Sequence, residues 1–498
     1  MSRRDRMAPL QHMLDSAREA VALARGKTRP DLDADRLLNL ALVRLLEIVG
    51  GAANRIPKEE QALYPEIPWR DVVSLRNRLI HGYDSVDFDI LWQIIVNDLP
   101  PLILSLETII SSEGGRRCDS KESSPMTSKE RVKLALAHKE PDRVPVGEFA
   151  VDYKVIEQVL GRETFLRAKT KLTKALWAGR RDEVVECMKK DTVEFTLKTG
   201  LDMVSVGLVP GKNQKFDVPK QIDENTWEDR AGNILRYSEA TEDIMVLEEG
   251  NKPVPPEVRK EFAPDPNDES RWELLKYVVE KLGKTHYVFA RAGGDAIGFG
   301  SALGIQRQWL SLADNPEAHA KSRLNGAKGL GQRLKRYIVE GCDALFMGED
   351  YGHNLGPFMS PKQFREVFFP ALKVQCEEIK SIGSPMLFHS CGNNRLILDQ
   401  MVEAGIDLYQ AIQTIEKIDE IKKLYGDKIT LMGGVDSDTL CRGTVEDVRR
   451  EARFAIQHCA PGGGFILASS HSIMIACKYD NFMAMLDMAR TEGRYPIA

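Results

Sequence analysis

The amino-acid sequence predicts two folds in one chain: an all-α helical bundle at the N-terminus, then an α/β unit of the (β/α)8 TIM-barrel class. Up to residue 111, apolar residues recur at helical spacing and β-type alternation is absent. From residue 126, short apolar runs alternate with helical segments. We therefore divide the chain into a helical domain (residues 1–112), a flexible linker (113–125) and a barrel domain (126–498).

The helical domain is predicted from four stretches in which apolar residues repeat with the period of an α-helix. These stretches cover residues 6–25, 34–53, 68–82 and 88–111. Together they predict a small helical bundle.

The boundary between the two patterns is the stretch Ser111–Pro125, which is polar, rich in Gly and Ser, and aperiodic. Such a composition is typical of a flexible linker. Directly after it, Thr127 and Glu130 form a capping-box pattern ahead of an apolar-periodic helix. Met126 has the position of an independent start, so we interpret the chain as a fusion of two genes or an extended gene model.

The barrel is predicted from eight short apolar runs, most of them rich in Val, Ile, Leu or Phe and bounded by Gly, Asp or Pro, as in buried parallel strands. The runs are Arg143–Ala150, Met203–Val209, Tyr287–Gly293, Ala344–Gly348, Met386–His389, Leu408–Ile412, Ile429–Gly433 and Phe465–Ser469. Helical stretches such as Glu317–Val339, Pro361–Ile382 and Val445–His458 separate several of them. A doubly wound open sheet is the alternative. The stretch Gln221–Ser238 is predicted to be an inserted hairpin.

The composition indicates an ordinary water-soluble chain: 43% hydrophobic residues, 29% charged residues and a net charge of −5. We expect a cytoplasmic location and no membrane association, because no signal peptide is recognisable and no apolar stretch reaches the roughly 18–20 residues of a membrane span. The eight cysteines lack paired spacing, which favours reduced thiols over a disulfide framework. Mild acidity argues against a broad nucleic-acid surface but leaves room for a small RNA site.

Polar residues at the ends of the predicted strands are the candidate site, because the carboxyl ends of barrel strands carry the active sites of this fold. They are Glu148, Asp295, Glu349, Asp350, His389, Cys391, Gln413, Asp436 and His471. Each alone has a structural alternative: Asp295 and Asp436 suit helix N-caps, and His471 suits a buried, hydrogen-bonded histidine.

His389 and Cys391 are the most specific candidates for a metal site, because side chains two residues apart in a strand point the same way. An imidazole and a thiol held side by side suit a zinc ion. The run Gly464–Ser470 delivers His471 from the corresponding position of a later strand.

Residues Thr127–Ala498 resemble the uroporphyrinogen decarboxylase (URO-D) superfamily. The matching phrases are Met126–Arg131, Pro141–Pro145, Gly356–Pro361, Phe388–Gly392, Gly433–Asp436 and Pro461–Leu467. The resemblance implies a barrel. The superfamily includes both decarboxylases and corrinoid-linked methyltransferases. The decarboxylases carry an Arg-rich motif after the first strand, where this chain has Val146–Asp152 without arginine. Multiple substrate carboxylates would need guanidinium partners there.

The methyltransferase branch is therefore the better match. Its resemblance implies a zinc ion on His389, Cys391 and a third ligand, where His471 stands in place of the usual Cys. It also implies a methylcorrinoid on a separate partner protein and a thiol or related acceptor as the small-molecule substrate. Glu148 is our candidate for a fourth ligand or a base. Asp295, Asp350 and Gln413 complete the catalytic candidates. The alternative function is a carboxy-lyase of tetrapyrrole metabolism.

In the helical domain, the run Trp69–Tyr83 contains the pattern Arg76-Asn77-x-x-x-His81-x-Tyr83, in which Asn77 and His81 share a helix face. The pattern resembles the HEPN superfamily, in particular the HepT-like toxins. That resemblance implies a homodimer that cleaves RNA, with histidine as acid/base and arginine on the phosphate, and a tyrosine modified by a cognate MNT-type nucleotidyltransferase. With 14 basic and 16 acidic residues, this part has no excess positive charge. A pure dimerisation or binding module is therefore the alternative.

Overall fold

Among the residues that the structure describes, every regular element of the first unit is a helix. The structure, a computed structural model, describes residues 3–24, 26–61, 64, 67–74, 87–114, 126–292 and 309–497. The chain divides into two units, Met1–Ser123 and Ser124–Ala498. The helices of the first unit are α1 (Arg3–Leu23), α2 (Arg29–Ala34), α3 (Arg36–Asn54), α4 (Lys58–Gln61), α5 (69–74), α6 (Phe88–Gln93) and α7 (Leu99–Gly114), with a π-helical turn at Ile94–Asp98 between the last two.

The first unit has a single apolar core among its described residues, built from α1, α3 and the α6–α7 stretch. Asp35 begins α3 by accepting hydrogen bonds from the amides of Leu37 and Leu38. The stretches Arg36–Asn54 and Phe88–Glu107 are apolar and long enough to cross a membrane by length and composition alone. The expectation that no such stretch exists is therefore wrong by this criterion, which tolerates interrupting charges. The buried residues of both stretches share the one core, which accounts for their apolar character.

The second unit is built from strands and helices that alternate along the chain. Its strands are β1 (Met203–Val206), β2 (Lys220–Asp223), β3 (Thr226–Glu228), β4 (Ile234–Ser238), β5 (Asp243–Glu248), β6 (Tyr287–Arg291), β7 (Ala344–Gly348), β8 (Gly352–His353), β9 (Gly356–Pro357), β10 (Met386–His389), β11 (Leu408–Ile412), β12 (Thr430–Val435) and β13 (Phe465–Ser469).

Most of its helices contribute to the core on the outer face of the parallel sheet, whereas α8 (Ser128–Leu136) contributes Val132 and Ala135 to the core inside it. The helices after α8 are α9 (Tyr153–Leu160), α10 (Lys169–Trp177), α11 (Arg181–Thr199), α12 (Pro256–Phe262), α13 (Glu273–Leu282), α14 (309–314), α15 (Pro316–Ala327), α16 (Leu330–Val339), α17 (Pro361–Gln363), α18 (Phe369–Ser381), α19 (Leu398–Ala404), α20 (Ile418–Tyr425), α21 (Ser437–Arg442), α22 (Val445–Cys459) and α23 (Tyr479–Thr491). The capping box predicted at Thr127 and Glu130 is confirmed, with both reciprocal hydrogen bonds in place.

Seven strands of the described chain form one parallel sheet in the order β1-β6-β7-β10-β11-β12-β13. Alternate residues face opposite sides. One set, including Met203, Phe289, Phe346 and Leu387, packs inside the curled sheet. The other set packs beneath the surrounding helices. The predicted fold class, a helical part followed by a TIM-barrel-like α/β part, is confirmed.

The first predicted strand, Arg143–Ala150, connects the two edges of this sheet without forming a regular ladder. The Gly147 amide donates to the Leu467 carbonyl (3.1 Å), and the Asp202 amide donates to the Val146 carbonyl (2.8 Å). Pro145 has no N–H to contribute. The Val146 amide is taken by the Asp202 carboxylate at 2.8 Å. The Leu467 amide also donates to the Pro145 carbonyl (2.9 Å), so one isolated bridge with two hydrogen bonds joins the segment to β13, and one backbone hydrogen bond joins it to Asp202 ahead of β1.

The predicted hairpin at Gln221–Ser238 is part of a larger insertion. Strands β2, β3, β4 and β5 form a four-stranded antiparallel sheet, in which β4 pairs with β5. The sequence did not reveal β5 because its residues are only partly buried or exposed, so its apolar alternation is weak. The stretch predicted as one helix over Glu317–Val339 is interrupted at Gly329, which has φ +69° and begins α16.

Candidate metal centre

His389 is the last residue of β10, and its side chain follows Leu387 on the inner face of the sheet. Cys391 comes two residues later, just beyond the strand end. His471 follows β13, whose last residue is Ser469. The neighbouring strand makes room for the imidazole, because a Cβ at Gly348 would lie 3.2 Å from the Cβ of His389. The strand ends therefore bring the three predicted ligands to the same rim.

One nitrogen each from His389 and His471 and the sulfur of Cys391 lie within 4.8 Å of one another. The Cys391 Sγ is 3.2 Å from the His389 Nε2. All three side chains are partly buried. Two imidazoles and a thiol at this spacing form a donor set of the kind that zinc prefers.

The ring of His389 is oriented by two neighbours. Its Nδ1 contacts the Oε1 of Gln410, an acceptor, so Nδ1 carries the proton and Nε2 faces Cys391. Phe149 stacks on the ring, with centroids 4.9 Å apart and an interplanar angle of 8°. Gln410 is not among the residues predicted from the sequence. Its inner-face position two residues after Leu408 in β11 was the available signal.

Asp350, a predicted site residue, lies against the same cluster. Its Oδ1 is 3.3 Å from the His389 Nε2 and accepts a hydrogen bond from the Cys391 amide at 2.9 Å. Burial alone would raise the pKa of Asp350, but the hydrogen bonds from His389 and Cys391 outweigh it and hold the pKa below its usual value. Asp350 therefore contributes a negative charge beside His389.

The electrostatics of the three donors are mutually dependent. Burial works to lower the pKa of His389, but its hydrogen bonds with Asp350 and Cys391 dominate and raise the pKa to about 10. Burial likewise works to raise the pKa of Cys391, and the two histidines reverse it, so the net shift is downward. The hydrogen bond with Cys391 raises the pKa of His471. The cluster thus favours a thiolate at Cys391.

Glu148 is buried beside the cluster and contacts Ser469 with both oxygens. Its Oε1 accepts from the Ser469 amide at 2.9 Å, and its Oε2 is 2.6 Å from the Ser469 hydroxyl. Burial raises the pKa of Glu148 to about 8. The Ser469 hydroxyl lies within hydrogen-bond distance of two acceptors, the Glu148 Oε2 and the carbonyl of His471. Glu148 therefore supports the backbone that carries His471.

The remaining predicted residues have other surroundings. Gln413 begins the short 3-10 turn Thr414–Glu416, where its amide donates to Glu416. Asp436 is the N-cap of α21 and accepts from the Asp438 amide. Glu349 pairs with Arg323. Arg76, Asn77, His81, Tyr83 and Asp295 lie outside the described residues.

The N-terminal part of the chain is similar to a known family of ribonucleases. Residues 13–109 match the family model described as Ribonuclease HepT-like. A probable ribonuclease HepT of Thermococcus cleftensis is 39% identical over 93 residues, which cover 18% of this chain and 84% of the relative. The N-terminal part of this chain belongs to the HepT-like ribonuclease family.

The C-terminal part of the chain, beyond the HepT-like domain, matches a second family. Residues 273–492 match the model described as Uroporphyrinogen decarboxylase (URO-D). The Methylcobamide:CoM methyltransferase MtaA of Methanosarcina barkeri is 29% identical over 129 residues, which cover 26% of this chain and 36% of that protein. A solved structure described as a methyltransferase from Methanosarcina mazei covers 73% of this chain and 98% of its own, at 18% identity and a TM-score of 0.49. The chain thus joins a HepT-like domain to a URO-D superfamily domain.

Proposed function

We propose that the URO-D superfamily domain is a zinc-dependent methyltransferase, which moves a methyl group between a corrinoid carried by a partner protein and a thiol or related acceptor. The observation that carries the proposal is the cluster of His389, Cys391 and His471 at the strand ends. The partial similarity to a protein named Methylcobamide:CoM methyltransferase supports the reaction class.

The donor set fits zinc on three counts. Three nitrogen and sulfur donors with room for a further ligand are typical of catalytic zinc sites. The Nε2 of His389 is directed toward the cluster because Gln410 occupies Nδ1. The Nδ1 of His471 is buried and has no hydrogen-bond partner among the described residues, so this imidazole has a nitrogen available to a ligand.

A zinc ion held by these residues would lower the pKa of a bound acceptor thiol and so supply a thiolate nucleophile near neutral pH. The chain's own residues prepare the place for it. Asp350 balances the positive charge of the cluster, and Phe149 provides an apolar wall that excludes water from one face of His389. Glu148 and Ser469 hold the backbone at His471.

The test is methyl transfer from free methylcobalamin to a small thiol by the purified full chain loaded with zinc. We expect loss of the methyl–cobalt absorbance and formation of a thioether, both abolished in Cys391→Ser. Cys187→Ser, which changes a thiol outside the cluster, is the matched control and should retain activity. If the chain instead releases CO2 from a carboxylated tetrapyrrole and leaves methylcobalamin intact, the carboxy-lyase alternative replaces the proposal.

For the HepT-like domain, we propose a homodimer that cleaves RNA with Arg76 and His81, and in which Tyr83 is the target of a cognate nucleotidyltransferase. Family membership and the Arg-Asn-x-x-x-His-x-Tyr pattern support this. The full chain should cleave single-stranded RNA, and His81→Ala should abolish cleavage while His12→Ala should not. A monomer in solution, or cleavage that persists in His81→Ala, would leave only a binding module.

A further inference from the structure

Two thiols outside the metal centre face each other at the end of α21. The sulfur of Cys441, near the end of that helix, lies 3.2 Å from the sulfur of Cys477, in the segment between β13 and α23. Both cysteines are free. They are 36 residues apart in the sequence, so the fold brings them together and the local chain does not. Neither thiol belongs to the metal cluster described above.

The other described cysteines have different surroundings. Three of them are buried in the apolar core of the second unit: Cys342, Cys376 and Cys459. Cys187 contacts the carboxylate of Asp191 at 3.0 Å, and Cys391 is one of the metal ligands. Within the part of the chain that the structure describes, Cys441 and Cys477 therefore form the one contact between two thiols. Such a contact is the starting geometry for a disulfide bond, which an isolated thiol cannot form within the chain.

The two thiols differ in their access to solvent. Cys441 is partly exposed, whereas Cys477 is only 6% exposed. Burial, together with the hydrogen bond with Cys441, raises the pKa of the Cys477 thiol and keeps it protonated and unreactive at neutral pH. An oxidant from solution therefore reaches Cys441 first, with Cys477 beside it as the resolving thiol.

The pair lies where the segment after β13 packs against α21. The amide of Ser437, the first residue of α21, donates to the Ser470 hydroxyl at 2.9 Å. At the other end of the helix, the Lys478 amide donates to the Leu440 carbonyl at 3.1 Å. His471 lies between these two attachments, directly after Ser470. A covalent bond within the thiol pair would therefore fix the segment that carries His471 against α21.

We propose that Cys441 and Cys477 are a site of reversible oxidation, at which a peroxide converts the two thiols to a disulfide. In the first step, the Cys441 sulfur attacks hydrogen peroxide and the O–O bond breaks. The products are a sulfenic acid and hydroxide, which leaves with the thiol proton as water. In the second step, the Cys477 sulfur attacks the Cys441 sulfur and the S–O bond breaks, so that the hydroxyl leaves as water with the proton of Cys477. Two thiols thus lose two electrons to one peroxide, and a small dithiol returns them.

The disulfide should restrict the segment between β13 and α23, because it adds a covalent attachment to the hydrogen bonds at the two ends of α21. A metal ion leaves a site faster when one of its ligands can move away with a mobile segment. Oxidation should therefore slow the release of zinc from the site that includes His471. This consequence rests on the proposed metal centre, whereas the oxidation itself rests only on the two thiols.

The first test treats the full chain, which has eight cysteines, with equimolar hydrogen peroxide. We expect a digest under non-reducing conditions to contain one peptide pair linked through Cys441 and Cys477, which dithiothreitol separates. Cys187→Ser is the matched control and should form the same linkage, because it keeps both thiols. Cys441→Ser and Cys477→Ala should each lose two thiols fewer than wild type does. Any result in which the folded wild-type chain does not link these two residues to each other would overturn the proposal.

The second test measures the rate at which the zinc-loaded chain releases the metal to a colorimetric chelator. We expect release to be about tenfold slower from the disulfide form than from the reduced form, since the cross-link opposes local opening. Peroxide treatment should not slow release from Cys441→Ser. Linkage without a change in this rate would overturn the effect on the metal centre and uphold the oxidation site. Linkage in a chain that binds no zinc would overturn the proposed metal centre and leave the oxidation site standing.

Discussion

Gln410 holds the imidazole of His389 through its Oε1 and is fully buried. Replacing it with leucine removes that acceptor while nearly conserving volume. We expect Gln410→Leu to lower zinc affinity about 10- to 100-fold, because partners that orient a ligand histidine have effects of this size. Competition with a chelator measures the affinity.

Gln413→Leu is the matched control, since the described contacts of Gln413 lie in the turn Thr414–Glu416. An equal loss in both variants, or none in Gln410→Leu, would contradict the role assigned to Gln410.

Glu416 is a buried carboxyl that accepts hydrogen bonds from the amides of Asn394 and Gln413 and from the Tyr409 hydroxyl. Burial raises its pKa from 4.5 to about 7. Because the folded-state pKa is raised, the stabilisation is complete below pH 4.5 and is lost as pH rises to about 7. A pKa shift of this size changes the free energy of unfolding by about 3 kcal/mol across that pH range.

The free energy of unfolding of wild type, measured by urea denaturation, should therefore fall relative to that of Glu416→Gln by about 3 kcal/mol between pH 4.5 and pH 7. A difference that grows with pH, or that does not change, would show that Glu416 is ionised in the folded protein.

Side-chain alternation was sufficient to predict that His389 and Cys391 share a face, because period-two geometry is local. It could not reveal the role of Gln410, which depends on the neighbouring strand that carries His389. The candidates Arg76, Asn77, His81, Tyr83 and Asp295 remain predictions.

At the scale of elements, the bridging segment depends on Asp202. This carboxylate is fully buried and accepts hydrogen bonds from Arg131 Nη1 (2.6 Å), Arg143 Nη1 (2.8 Å) and the Val146 amide (2.8 Å). Asp202→Asn removes the charge that both arginines face. We expect a loss of about 3–5 kcal/mol in the free energy of unfolding, measured by urea denaturation.

Asp438→Asn provides the comparison, because Asp438 forms an exposed i,i+4 pair with Arg442 in α21. It should change stability by about 0.5 kcal/mol or less. Similar effects of the two substitutions would mean that the segment is held by its backbone bridges instead.

Most strands of the barrel were predictable because each is a short apolar run bounded by Gly, Asp or Pro. The first run differs, because Pro145 has no N–H to donate and the Val146 amide donates to the side chain of Asp202 instead of to a neighbouring strand. The contact with Asp202 is a tertiary one, which the local sequence pattern does not reveal. The π-helical turn Phe364–Phe368 within the helical stretch Pro361–Ser381 was likewise invisible to a helix-period pattern.

At the scale of the whole molecule, the two units have separate apolar cores among the described residues, one within residues 10–109 and the others from Val132 onward. A chain that begins at Met126 should therefore fold by itself, with the capping box of Thr127 and Glu130 at its start. Circular dichroism and a cooperative urea transition measure this. An unfolded or insoluble product would contradict the two-domain interpretation.

The zinc content of the purified full chain tests the central claim most directly. We predict close to one zinc per chain by elemental analysis in wild type and in Cys187→Ser, and loss of most of it in Cys391→Ser and His471→Ala, because His389, Cys391 and His471 supply the three donors. Wild-type protein without zinc after metal supplementation, or zinc retained in full by both variants, would contradict the account.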